Sequence, residues 1–150
     1  MNQQNYHCSI TTNRGVNEAW KNITHVSEWW TGNIEGTTAR VNDKFTVHFG
    51  DTFVDFLVIE SVPGKRLVWK VSDCYLHWLS DKEEWKNTTL EWEVLRKNNA
   101  TEISFTHVGL VPQIPCYNDC RKGWDFYIKE SLRKLIAEGK GLPETPKVLR

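Results

Sequence analysis

His107, Asp55 and Tyr127 are the residues whose chemistry and spacing could move a proton. His107 continues the alternation of Ile103 and Phe105, Asp55 continues that of Leu57 and Ile59, and Tyr127 sits on the apolar stripe of a helical segment. Each would therefore aim inward, and a histidine beside a carboxylate is what acid-base catalysis near neutral pH requires. A structural account competes and is the stronger of the two. In it His107, at a strand end, hydrogen-bonds a backbone group of the 108–112 loop, and a bulge turns Asp55 outward. Cys116 and Cys120 lie four residues apart near a helix start, with His107 upstream. Zinc wants four ligands in tighter, looped pairs, and no second Cys/His pair accompanies these two, so neither a metal nor another cofactor is expected. A helix N-terminus lowers a thiol's pKa, yet no His or Asn is fixed beside either sulfur to complete a nucleophilic centre.

The elements that must position these groups follow from periodicity. Tyr6–Thr12 reads as a strand, 13–15 as a turn, and Asn17 as the N-cap of a helix through Trp20 and Ile23; Ser27 would cap a second, very short helix carrying Trp29 and Trp30. Between residues 44 and 105 apolar side chains recur at period two: Phe45, Val47 and Phe49; Leu57 and Ile59; Leu67, Trp69 and Val71; Leu90, Trp92 and Val94; Ile103 and Phe105. Short turn clusters separate these runs, which predicts an antiparallel meander with one buried face. Its cover is a helix in which Trp124, Tyr127, Ile128, Leu132, Leu135 and Ile136 share one side, opened near Asn118 or Asp119 and closed by Gly139 or Gly141. About 20 residues of helix span about 30 Å, enough to lie across a whole curved sheet.

A helix across a curved sheet leaves space in its corners, lined by apolar groups with a few polar ones. The predicted lining is Phe49, Asp55, Leu57, Trp69, Trp92, Phe105 and His107 from the strands, and Trp124, Tyr127 and Ile128 from the helix. Rings this large could equally plug the interior solid. The 74–87 segment, with Tyr75, Trp78 and Trp85, is long for a hairpin connection and reads as a lid, a partner patch, or extensions of its flanking strands.

Composition sets the outer limits. The length of 150 residues predicts one domain, 1–150, with a core at about 6–139 and a tail at 140–150. Lysine plus arginine equals aspartate plus glutamate at 19 each, so the chain carries no electrostatic footprint for nucleic acid. Eight Trp, six Phe and four Tyr supply large apolar area to a chain only 39% hydrophobic. No apolar run is long enough for a membrane span, and the start lacks a signal peptide's basic and apolar regions, which predicts a cytoplasmic protein with reduced thiols.

Three stretches together carry a family resemblance. They are the 16–30 segment with its early Trp20 and the Trp29-Trp30 pair, the Val41-Asn42-Asp43-Lys44-Phe45 run leading through 58–69, and the 100–110 run followed by Gly123-Trp124. The chain resembles the START-like (SRPBCC) superfamily and, within it, the AHSA-like branch of heat-shock-protein ATPase activator homologues. The resemblance implies an α+β helix-grip fold, a curved antiparallel sheet wrapped around a long C-terminal helix, with two short helices after the first strand. It also implies a cavity for an apolar or aromatic small molecule. Relatives include polyketide cyclase-type enzymes, so the same cavity could serve catalysis by His107, Asp55 or Tyr127. Co-chaperone relatives bind protein, so a protein partner or a homodimer stays open. His107 falls in a Thr-His-x-Gly stretch recurrent in the family.

Overall fold

A computed structural model describes residues 4–144. Tyr6–Thr12 forms β1, Ile34–Gly36 β2, Lys44–Phe49 β3, Thr52–Val62 β4, Arg66–Tyr75 β5, Thr89–Lys97 β6 and Ala100–Val108 β7. These build one seven-stranded sheet in the order β1-β7-β6-β5-β4-β3-β2, with every neighbouring pair antiparallel. Helices α1 (Val16–Thr24) and α2 (Val26–Trp29) follow β1. The C-terminal helix runs without a break through α3 (Tyr117–Trp124), a π-helical stretch (Asp125–Leu132) and α4 (Arg133–Glu138). This is the helix-grip architecture that the resemblance implies. Among the described residues no helix is long and apolar enough to cross a membrane.

The sheet curls because its central pair is irregular. Between β4 and β5 the register shifts twice, at Asp55/Phe56 and at Val58/Glu60, and each unpaired residue bends its strand and tightens the local twist. Alternation then sorts the faces. Tyr6, Cys8 and Ile10, Phe45 and Val47, Leu90, Trp92 and Val94, and Ile103 and Phe105 all point to the buried side.

Strand β4 corrects the sequence reading. Its buried residues are Thr52, Val54, Phe56 and Val58, so Asp55, Leu57 and Ile59 lie on the outer face. In a run as apolar as 53–59, periodicity does not fix the phase, and the one polar residue fixes it by its own desolvation cost. Asp55 stays half-buried outside, accepting a 2.6 Å hydrogen bond from Thr46 on the adjacent strand. The register shift beside it places its extra residue on β5, so the unbroken alternation of β4 itself turns Asp55 outward.

The helix starts also differ from expectation. Gly15, His25 and Cys116 occupy the three N-cap positions in place of Asn17, Ser27 and Asn118 or Asp119. For α1 the reason is packing: Val16 rests against the core, which draws the helix start ahead of Asn17. At the other end Gly139, at φ +83°, takes the left-handed conformation that closes α4 as predicted. The tail beyond it is docked. Leu142 N–H donates to Ser131 Oγ, Glu144 N–H donates to the Trp30 carbonyl, and Gly32 N–H donates to the Glu144 carbonyl, which latches the tail onto the turn after α2. Residues 145–150 of the predicted tail lie outside the described residues.

Candidate functional site

The interior has two halves. In the first, Trp29, Trp69, Trp92, Phe45, Phe56 and Phe105 meet ring against ring, with Trp92 5.6 Å from Trp29, 5.7 Å from Trp69 and 4.6 Å from Phe105. Trp69, Trp92, Phe105 and Ile128 are fully buried here and are not among the residues that line the cavity of the other half. Trp29 donates its indole N–H to the Ile23 carbonyl and stacks on Trp30, fastening the two short helices to the sheet.

The second half holds a cavity of about 220 Å³. Its sheet wall is Phe49 of β3 with Thr52 and Val54 of β4. Trp30, after α2, closes one side. Leu76, Trp78 and Trp85 come from the connection between β5 and β6, and Asp119, Cys120, Gly123, Trp124 and Tyr127 come from the C-terminal helix. Of the ten predicted lining residues, the structure brings Phe49, Trp124 and Tyr127 together here. Sequence reading left out Thr52 and Val54 because it took the wrong phase for β4. It left out Asp119 and Cys120, which belong to the first turns of the helix. Gly123 carried a signal: a glycine within a helix costs about 1 kcal/mol against alanine, and a Cβ built on it meets nothing within 4 Å. The helix is thin where the cavity lies.

The 74–87 segment follows the extended-strand reading at Tyr75 only, and Trp85 lies outside both strands. Strand β5 does extend to Tyr75, while Leu76, Leu79 and Trp85 fold inward and Trp78 stays half exposed at the cavity rim. Trp85 stacks on Trp124 at 5.7 Å and meets the His107 ring edge-on at 4.7 Å.

His107 lies fully buried behind this stack, with both ring nitrogens engaged. Trp124 Nε1 donates to Nδ1 at 3.1 Å. The Thr88 hydroxyl gives its proton to the Trp85 carbonyl at 2.6 Å, so its oxygen receives the Nε2 proton at 2.9 Å. One tautomer therefore satisfies every partner, and no lone pair is left to take up a further proton. Burial holds the imidazole pKa down at about 3, against an ordinary 6.5. Gly109 explains the Thr-His-x-Gly stretch. It sits at φ +105°, and a Cβ there would stand 2.6 Å from Thr88 Cγ2, displacing the threonine that fixes the imidazole. His107 ties strand, loop and helix together.

Tyr127 lines the cavity and holds its hydroxyl beside the Glu144 carboxylate, where burial first and that negative charge second push its pKa up to about 12. The Cys116 and Cys120 sulfurs stand 2.7 Å apart, Cys116 N–H donates to Glu84 Oε1, and the neighbouring Cys120 thiol together with burial pushes Cys116 well above the usual thiol range. Such a thiol is a poor nucleophile. Among the described residues no three His, Cys, Asp or Glu side chains stand close enough to hold a metal ion.

Comparison with known proteins follows from this geometry. The sequence profile of the family described as activator of Hsp90 ATPase homolog 1-like protein matches residues 11–137. No curated protein matches the chain. Among solved structures, the solution structure of the Aha1 dimer from Colwellia psychrerythraea superposes with a TM-score of 0.75 at 22% identity, over 92% of this chain and 99% of that one. DynU16, from the dynemicin biosynthetic locus, gives 0.70 at 19% identity over 90% of this chain, which spans only 48% of DynU16. CalU16 from Micromonospora echinospora gives 0.61 at 13% identity, over 87% of this chain and 73% of that one. At these identities the likeness is one of fold.

Proposed function

The chain belongs to the activator of Hsp90 ATPase homolog 1-like family, and from that premise we propose that it is a receptor for a small, mainly apolar molecule held between the sheet and the C-terminal helix. The observation that carries this reading is the cavity of about 220 Å³, half of whose twelve lining residues are aromatic. Space beside a helical glycine is kept open at a cost to helix stability, which a purely structural core would not retain. A cavity of roughly 150 Å³ lined by apolar groups already admits benzene, so a one- or two-ring body fits this one. None of the three residues considered for catalysis offers a base to this cavity: His107 is sealed, Asp55 is on the other face of the sheet, and Tyr127 holds its proton.

The test is a thermal-shift screen with aromatic and alicyclic small molecules. A ligand at a hundredfold excess over its Kd stabilises the native state by about 2.7 kcal/mol, which a melting curve resolves. Silence across such a library rejects the receptor reading. Because the Colwellia relative is described as a dimer, self-association is the second reading, and sedimentation of the purified protein across a concentration series decides it.

A further inference from the structure

Resting on the receptor reading, we propose that the molecule bound is an organic cation, an aromatic or alicyclic body carrying an ammonium group. Four indoles, Trp30, Trp78, Trp85 and Trp124, line the cavity together with two smaller aromatic rings. Aromatic faces carry partial negative charge, indole the most, and they attract an ammonium group most strongly where water is excluded.

The charged groups agree in sign. Asp119 lines the cavity, remains exposed, and makes no ion pair among the described residues, Lys122 one turn along the helix included. Behind the lining, Glu144 sets a second carboxylate beside the Tyr127 hydroxyl, with its backbone latched to Trp30 and Gly32. No Lys, Arg or His is among the residues lining the cavity. A carboxylate ligand would meet the like charge of Asp119 and no guanidinium to receive it. A neutral hydrocarbon would satisfy the rings and leave Asp119 unused. An amine satisfies both, with its apolar body against the indoles and its ammonium group at the Asp119 end. Asp119 is still hydrated in the free protein, so pairing it requires little desolvation.

Three probes of one shape separate the possibilities: 2-(1-naphthyl)ethylamine, 2-(1-naphthyl)ethanol and 1-naphthylacetate, titrated calorimetrically into the full chain at pH 7. The amine is expected to bind about tenfold tighter than the alcohol, with the acetate weakest, and the amine's advantage should shrink as salt is raised. In Asp119→Asn the amine-to-alcohol ratio should fall to about threefold or less. Equal binding of amine and alcohol, or tightest binding of the acetate, overturns the cation assignment and leaves the receptor reading standing. If none of the three binds, the receptor reading itself falls and the cation assignment falls with it.

Discussion

The two halves of the interior are built from the same residue types yet end differently: one is packed solid with indole and phenyl rings, and the other is hollow. The difference lies in what faces the strands. Behind Trp69 and Trp92 stand α1 and α2, which contribute Ala19, Ile23, Val26 and Trp29, all buried at 1% exposure or less. On the helix side of the cavity, Tyr127 reaches Phe49, but beside Tyr127 and Trp124 stand Asp119, Cys120 and Gly123, whose side chains are too small or too polar to fill the space. Aromatic content thus does not make a cavity; a local shortage of side-chain volume on the facing element does. His107 sits at the boundary, where its hydrogen bond to Trp124 and its edge contact with Trp85 fix the two rings that separate the halves, Trp124 also resting on Phe105 of the solid half.

The largest expected effect tests the solid half. Trp92→Ala should cost about 3–5 kcal/mol, because the surrounding rings cannot collapse into the vacated volume. Chemical denaturation measures it, and a loss below about 1 kcal/mol would mean that this half is as hollow as the other.

Next comes the boundary. With a folded pKa of about 3 and an ordinary value of 6.5, His107 accepts a proton in the unfolded chain that it refuses in the folded one. Its contribution is therefore complete above about pH 6.5 and declines as pH falls toward 3, by roughly 1.4 kcal/mol per pH unit. At pH 4.5 the loss attributable to this one group is about 2.7 kcal/mol, an order-of-magnitude figure. Denaturation midpoints across that range should fall steeply in the parent and more shallowly in His107→Gln. Parallel profiles would show that another group governs acid stability.

A smaller effect of opposite sign belongs to the hollow half. Gly123→Ala should raise stability by up to about 1 kcal/mol through helix propensity, since the added methyl meets open space. Gly123→Leu should fill the cavity and abolish the ligand-induced thermal shift. If Gly123→Ala is strongly destabilising, the cavity is closed at that point.

The smallest effect lies at the rim. Trp78 is 51% exposed, so Trp78→Ala should change stability by less than about 0.5 kcal/mol while weakening ligand binding. A large stability loss there would make Trp78 part of the core and remove it from the mouth of the site.

How much of this was legible beforehand depends on the segment. Strands β3, β6 and β7 announce their buried faces because polar residues interrupt the apolar ones at every second position, and β5 does so less cleanly, with Val68 buried between Leu67 and Trp69. β4 does not, since 53–59 is apolar on both faces except at Asp55. The three-residue β2 has too few positions to display any period. Of the site, Phe49, Trp124 and Tyr127 were legible as inward-facing rings, whereas Trp69, Trp92, Phe105 and Ile128 were read with equal reason and turned out to be packing. Periodicity tells which way a side chain points and is silent about whether anything stands across from it.

By itself, then, the amino-acid order determined the number and type of most elements, the antiparallel meander, the amphipathic C-terminal helix with its Gly139 stop, and an aromatic interior. Each of these follows from local propensity and spacing within a few residues. Only the tertiary structure decided which half of that interior is hollow, that the tail from Leu142 to Glu144 closes against Trp30, and that His107 is bonded at both nitrogens. Those outcomes depend on volumes and partners supplied by chain segments as far apart as Trp30 and Glu144, and no local pattern carries that sum.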